Sequence, residues 1–220
     1  MVLKGALKQA VIEGIIYKSP AEYVPLPRRK EKTQKGSFLI AEQANEVLKL
    51  FNGHPLQPLI YVTLYYGLRR SEVLGLKWDA IDFKNDILEI KHTVVKSSIV
   101  VAKDRTKTAS SRMKYILLPE IKELLFDLKA KQNGNRKLFG KEYIESDYVF
   151  TWANGKLLTP QYITKAFQKV LSHNEFPRMR FHDLRHSCAS ILYDKGWQLK
   201  DIQRWLGHSN IATTSDIYSH

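Results

Sequence analysis

Pro20, Pro25 and Pro27 stand directly before the run Arg28-Arg29-Lys30-Glu31-Lys32, and this stretch divides the chain. Proline removes a backbone donor and biases the residue before it away from helix, while clustered like charges stay solvated. From Pro20 to Gly36 an extended basic linker is therefore expected. Whatever lies on either side must bury its own apolar surface. On the N-terminal side Leu7, Ala10, Val11 and Ile15 recur at helical spacing among Lys4, Lys8 and Glu13. This predicts one amphipathic helix over residues 4–17, stopped at Ser19-Pro20. A lone helix has nothing to cover its apolar stripe, so it is expected to be the last helix of a further, truncated domain.

The remaining residues, 36–220, are enough for one domain with its own core. Their pattern predicts an α+β, mainly helical domain with a small antiparallel sheet drawn from residues 80–118. Helices are expected at 41–52 and 56–67, with Ser71 as N-cap of a short helix ending near Lys77. Alternation in Ala80-Ile81-Asp82-Phe83, a turn at Asn85-Asp86 and the run Ile87–Ile90 read as a hairpin. Tyr115–Leu118 reads as a further strand closed by Pro119. Helices follow near 120–131, 160–172 (with Thr159-Pro160 as cap and first turn), 182–194, 199–205 and 211–219. The longest apolar stretch, Leu56 to Leu68, is broken by Gln57, Pro58, Thr63 and Gly67 and is too short for a bilayer span. A lone cysteine, Cys188, excludes an intrachain disulfide and CxxC metal pairs, and the N-terminus carries no signal-peptide core. A soluble cytoplasmic protein without a membrane partner is the expectation.

Charge narrows the partner. The formal net charge is +13, and it is concentrated: residues 1–35 carry net +5, residues 91–114 net +6 and residues 129–141 net +5, the last around a loop-like Asn133-Gly134-Asn135. Basic residues gathered in this way suit phosphate tracking along nucleic acid.

Four local patterns carry candidate chemistry. In Gly67-Leu68-Arg69-Arg70-Ser71-Glu72 a glycine ends one helix and a serine begins another, leaving Arg69 on the turn with Glu72 as its ion-pair partner. An arginine at such a junction is most often an ordinary surface residue. Thr106-Lys107-Thr108-Ala109-Ser110-Ser111-Arg112 is a basic, hydroxyl-rich loop that equally fits a solvated hairpin tip. In His182-Asp183-Leu184-Arg185-His186, the i, i+3 and i+4 positions share a helix face, so two imidazoles and a guanidinium converge while Leu184 faces the core. Zinc is a poor fit: an arginine between the ligands repels a cation, and the metalloprotease motif needs glutamate at position 183. An anion suits this face. In Leu206-Gly207-His208-Ser209-Asn210, Gly207 ends a helix and leaves His208 at a junction, and Tyr218 follows after Asp216-Ile217. An isolated tyrosine is far more often packed than nucleophilic.

Taken together and in this order, the G-L-R-x-S-E segment, the loop lysine, the H-x-L-R-H box, the L-G-H segment and the following tyrosine closely resemble the tyrosine recombinase, or phage integrase, family. The resemblance covers residues 36–220 as its catalytic domain. It implies that residues 1–35 are the last helix of a truncated core-binding domain plus linker.

The resemblance implies the following chemistry. Tyr218 attacks a DNA phosphodiester to form a 3′-phosphotyrosine, without metal, ATP or other cofactor. Arg69 and Arg185 clamp the non-bridging oxygens. Lys107 protonates the leaving 5′-oxygen, His182 assists proton transfer at the tyrosine, and His208 hydrogen-bonds the phosphate. Glu72 and His186 support these groups. The implied function is integration or excision of a phage or mobile element at double-stranded attachment sites, by a homotetramer in the synapse and a monomer without DNA. The alternatives are a Xer-type recombinase resolving chromosome dimers and an inactive DNA-binding fragment. The short final helix suggests that Tyr218 stays displaced from the Arg69–Arg185 cleft until DNA is bound.

Overall fold

The computed structural model describes residues 2–25, 38–96, 100–103 and 113–207. The chain divides into two compact units, residues 1–35 and 36–220. In the first, helix α1 spans Val2–Ile12, shorter than the 4–17 pattern predicts. Gly14 adopts a left-handed φ of 72° and turns the chain, and the N–H groups of Ile15 and Ile16 both fold back onto the Ala10 carbonyl. Leu3, Ile12 and Ile15 are exposed.

The second unit is built around α3 (Gln57–Tyr66), the longest apolar stretch of the sequence. Leu59, Ile60, Val62, Thr63, Leu64 and Tyr66 are all buried, so this helix is enclosed on all but the face that carries the half-buried Tyr61 and Tyr65, and Thr63 returns its hydroxyl to the Leu59 carbonyl at 2.7 Å. Helix α2 (Ala41–Leu50) packs its Ala44, Val47 and Leu48 into the same core. Among the described residues no helix is long and apolar enough to cross a membrane.

After α4 (Arg70–Leu74) and a 3-10 turn at Trp78–Ala80 come β1 (Ile81–Asp82) and β2 (Ile87–Ile90), the expected hairpin. Strand β5 (Met113–Ile116) pairs antiparallel with β2, setting Leu88 opposite Tyr115 and Ile90 opposite Met113. It begins and ends two residues before the expected Tyr115–Leu118. The backbone beyond it is used otherwise: Leu117 N–H bonds to the Asp86 carbonyl and Leu118 N–H to the Tyr66 hydroxyl. Between β2 and β5, β3 (Thr93–Lys96) and β4 (Val100–Lys103) form a separate two-stranded antiparallel sheet. The small antiparallel sheet expected over residues 80–118 is thus present as β1-β2-β5, and among the described residues a second, two-stranded sheet joins it.

Helix α5 (Pro119–Phe139) runs straight through Asn133-Gly134-Asn135, which the sequence suggested as a loop. The reason lies in the side chain just before it. Gln132 is buried, accepts from Trp78 Nε1 at 2.8 Å, and donates to the Val149 carbonyl at 2.8 Å and Thr151 Oγ1 at 3.0 Å. One amide thus fastens the late turns of α5 to two other segments, which overrides weak local propensity. Helices α6 (Pro160–His173), α7 (Asp183–Asp194) and α8 (Leu199–Leu206) follow among the described residues. Thr159 caps α6 as expected, its hydroxyl accepting from Tyr162 N–H at 3.3 Å. The helix expected over 211–219 lies outside the described residues.

Gln132→Ala strands the Trp78 indole and the Val149 carbonyl. It is expected to cost about 1–3 kcal/mol, read as a lower urea midpoint with an unchanged slope. A midpoint equal to that of the wild type would contradict this account of α5.

Candidate active site

The site forms where the ends of α3 and α8 meet the starts of α4 and α7. Gly67 ends α3 in the left-handed conformation (φ 62°), and a Cβ built there would lie 2.3 Å from Leu206 Cδ2. Only glycine lets the two helix ends touch. The chain leaves Gly67 extended, with Leu68 buried and Arg69 at φ −68°, ψ 150°.

Arg69, not the expected Ser71, is therefore the N-cap of α4. Glu72 supplies the capping: its carboxylate accepts from Arg69 N–H at 2.7 Å and from Arg69 Nη1 at 2.6 Å. The helix ends at Leu74 rather than near Lys77. Beyond it, Gly75 approaches the His92 carbonyl so closely that a Cβ would stand 2.5 Å away. The backbone then pairs with residues 147–149: Trp78 N–H donates to the Asp147 carbonyl, and Val149 N–H to the carbonyl of the buried Leu76.

Arg185 comes from the first turn of α7 and points inward, with only 2% of its surface exposed. Its fork donates from Nη1 to the Gly67 carbonyl at 2.6 Å and from Nη2 to the Leu206 carbonyl at 2.5 Å. Glu72 Oε2 lies 3.9 Å from Nη1. A guanidinium this deep is costly to desolvate. Its partners are the negative ends of two helices and a carboxylate, which offset that cost. Desolvation, and then the nearby Arg69 charge, lower its pKa to about 10, so it remains a cation at neutral pH. Arg69 is the outer member of the pair: its side chain is 42% exposed, and Nη2 reaches the Gly207 carbonyl at 3.3 Å. The two expected arginines therefore converge on Glu72 and on successive carbonyls of one helix end.

The imidazoles stand outside this pair. His182 occupies the N-cap of α7 rather than its first turn, and its ring meets His186 edge-on at 5.1 Å. Although part of the His182 ring faces solvent, its crowded surroundings lower its pKa to about 4, helped by His186 and Arg185. His186 is lowered by burial against an opposing Asp183 charge. Both rings are neutral at pH 7 and able to accept a proton. Asp183 fixes the start of α7 by accepting from Arg180 N–H at 2.7 Å and Arg180 Nη2 at 2.8 Å. Leu184 is fully buried, as its place in the motif suggests.

Cys188, one turn beyond Arg185, is buried, and desolvation pushes its thiol up to about 12. It is no nucleophile at neutral pH. Lys107, His208 and Tyr218 lie outside the described residues, and with them the expected displacement of Tyr218. Among the described residues no three His, Cys, Asp or Glu side chains gather as a metal-ligand group. Sequence reasoning missed Tyr115, whose hydroxyl donates to the Trp205 carbonyl at 2.7 Å beside the arginines. Its place in a strand gave no local signal for this. What remains is a pair of arginines, one buried and one half-exposed, with neutral imidazoles beside them, a grouping suited to an anion whose charge grows during reaction.

Comparison with known proteins agrees with this geometry. The family model described as "Phage integrase family" matches residues 37–220. A XerC-like tyrosine recombinase of Caldanaerobacter subterraneus subsp. tengcongensis is 29% identical over 99% of this chain and 60% of its own. An integrase of Streptomyces ambofaciens is 30% identical over 98% of this chain and 57% of its own. The chain thus spans 60% and 57% of the length of these two relatives. Among solved structures, the Tn1549 transposon integrase in complex with a circular intermediate DNA superposes with a TM-score of 0.79 at 21% identity, covering 99% of this chain and 72% of that one. At that identity the likeness shows the fold.

The imidazole pair gives the site a pH signature. A histidine held below its unfolded value contributes stability that is complete above about pH 6.5 and lost as pH falls through the folded value. The unfolding midpoint is therefore expected to be flat from pH 7 to 8 and to fall from about pH 6.5 toward 4. His54, also lowered by burial, adds in the same direction. The double variant His182→Gln/His186→Gln should decline less steeply. A double variant with the wild-type slope would contradict the assignment.

Proposed function

The chain belongs to the phage integrase family, and from that premise we propose that it is a site-specific DNA recombinase that cuts and rejoins duplex DNA through a covalent 3′-phosphotyrosine. The observation that carries this reading is the convergence of Arg69 and Arg185 on one carboxylate and one helix end, with the neutral His182 alongside. A phosphodiester resists attack because the incoming nucleophile meets negative charge, and charge on its non-bridging oxygens grows in the transition state. Cations fixed before the substrate arrives lower that barrier with little reorganisation. Arg185 is held by carbonyls and cannot swing away, while Arg69 presents its exposed face to the phosphate.

In this reading Tyr218 loses its proton with the help of His182 and forms a bond to phosphorus. The P–O5′ bond breaks, and Lys107 gives a proton to the departing 5′-oxygen. His208 hydrogen-bonds the phosphate. Energy of the phosphodiester is kept in the tyrosyl ester, so a second 5′-hydroxyl reverses the step on a new partner strand. A phosphate seated beside His182 raises its pKa toward a value useful for proton transfer. Residues 36–220 act as the catalytic domain, and residues 1–35 as the end of a core-binding domain with its linker. The partner is a double-stranded attachment site, bound by a homotetramer in the synapse and by a monomer before it, in the cytoplasm. The relatives include integrases and XerC-like recombinases alike. Resolution of chromosome dimers is therefore the second reading, separated from mobile-element integration by the sequence of the DNA site.

A duplex selected by the chain from a random-sequence pool, then nicked near the cleavage position, is expected to trap a covalent protein–DNA adduct. Tyr218→Phe should abolish the adduct while leaving binding intact. An adduct that persists in that variant would overturn the assignment of the nucleophile. The two arginines should separate cleanly. Arg69→Ala is expected to slow cleavage by about 10²–10³-fold with a stability change within about 1 kcal/mol. Arg185→Ala should cost about 3–5 kcal/mol as well as activity, because it leaves two buried carbonyls without their donor. Equal losses of stability in the two variants would contradict the inner and outer roles.

A further inference from the structure

Three successive carbonyls at the end of α8 are each taken by a different side chain. The Trp205 carbonyl accepts from Tyr115 Oη at 2.7 Å, the Leu206 carbonyl from Arg185 Nη2 at 2.5 Å, and the Gly207 carbonyl from Arg69 Nη2 at 3.3 Å. The last carbonyls of any helix lack an intrahelical donor, and here one strand, one helix and one turn supply it. Resting on the recombinase reading above, we propose that Tyr115 is a positioning residue for strand cleavage: by holding the Trp205 carbonyl it sets the end of α8 so that the next two carbonyls fix both guanidiniums, Arg185 inward as the buried charge and Arg69 with its exposed face toward the phosphate.

Tyr115 is suited to this because it is the rigid member of the three. Its backbone is locked in β5 opposite Leu88. Its ring is 5% exposed, tilted against Tyr66 at 5.1 Å and edge-on to Trp205 at 4.9 Å. A tyrosine has few rotatable bonds, and this one cannot rotate without breaking both contacts. Burial raises its pKa above the ordinary value, so the hydroxyl remains a donor throughout the working pH range. Arginine side chains, by contrast, carry many rotamers, and a fork is directed only when its acceptors are fixed. Misplacing a reacting group by about 1 Å can cost on the order of a hundredfold in rate. The Tyr115 bond therefore carries the register of the β-sheet to the two cations through α8.

Tyr66 provides an internal control. Its hydroxyl donates to the Ile116 carbonyl and accepts from Leu118 N–H, both at 3.1 Å, so it spends both bonds away from α8 although its ring stacks on Trp205 at 6.2 Å. Tyr115→Phe and Tyr66→Phe each delete one buried hydroxyl from the same aromatic cluster. Single-turnover cleavage of the nicked duplex by the full chain, with saturating protein well below the unfolding temperature, distinguishes them.

Tyr115→Phe is expected to bind the duplex within twofold of wild type and to cleave at least tenfold more slowly. Tyr66→Phe should lose comparable thermal stability yet cleave at the wild-type rate. Replacing Tyr115 by 4-aminophenylalanine, which retains a donor, should restore at least a third of the rate. Independently of DNA, guanidinium proton exchange at Arg185, followed by NMR on arginine-labelled protein, should quicken in Tyr115→Phe and not in Tyr66→Phe. Tyr115→Phe cleaving within twofold of wild type would overturn the proposal, as would an equal rate loss in Tyr66→Phe. Absence of any adduct with the wild-type chain would overturn the recombinase reading itself, and this role with it.

Discussion

A guanidinium buried between two helix ends is the interaction on which the site depends. Arg185 is 2% exposed and bonded to the carbonyls of Gly67 and Leu206, the last turns of α3 and α8. The arrangement is possible only because Gly67 has no Cβ to collide with Leu206. It is tolerable only because helix C-termini present negative partial charge and Glu72 stands within 4 Å, its Oε2 at 3.9 Å. The same two bonds that make the buried cation affordable also tie three helices at one point. Fold stability and preorganisation of the cleft are thus one property, with Arg185 serving both.

The outer half of the cleft is built differently. Arg69 is held by a carboxylate three residues away and by the Gly207 carbonyl, and keeps a large part of its surface in solvent. An inner cation that is fixed and an outer one that is reachable make a graded site; in the reaction proposed, the first sets the field and the second meets the phosphate. His182 and His186, neutral at pH 7 because of their crowded and cationic surroundings, complete the rim without adding charge that Arg185 would have to oppose.

Much of this was legible in the chain before it folded. The glycine-bounded helix ends at Gly67 and Gly207, the apolar run that became α3, and the arginines of the two short motifs all follow from local signals. The parts that were not legible depend on long-range partners. Nothing near Asn133-Gly134-Asn135 announces that Gln132 will hold α5 helical by bonding Trp78 and residues 149–151. Ser71 is a good N-cap by type, but Glu72 reaching back to Arg69 wins because the left-handed turn at Gly67 leaves Arg69 extended. Tyr115 reads as one more strand residue; only the packing of α8 against β5 gives its hydroxyl a function. Local chemistry places the cations, whereas tertiary contacts decide how they are aimed.

The central claim is that Arg69 and Arg185 act on the negative charge of a scissile phosphate. It is tested most directly by removing that charge from the DNA instead of from the protein. With a methylphosphonate at the cleavage position, one non-bridging oxygen becomes a neutral methyl group, and the phosphorus centre carries one negative charge fewer both before attack and in the transition state. Cleavage of this substrate by Arg69→Ala, measured relative to wild type on the same substrate, should recover most of the loss seen on the natural phosphodiester. An arginine whose removal costs the same on both substrates would be acting on something other than phosphate charge, and the account would fail.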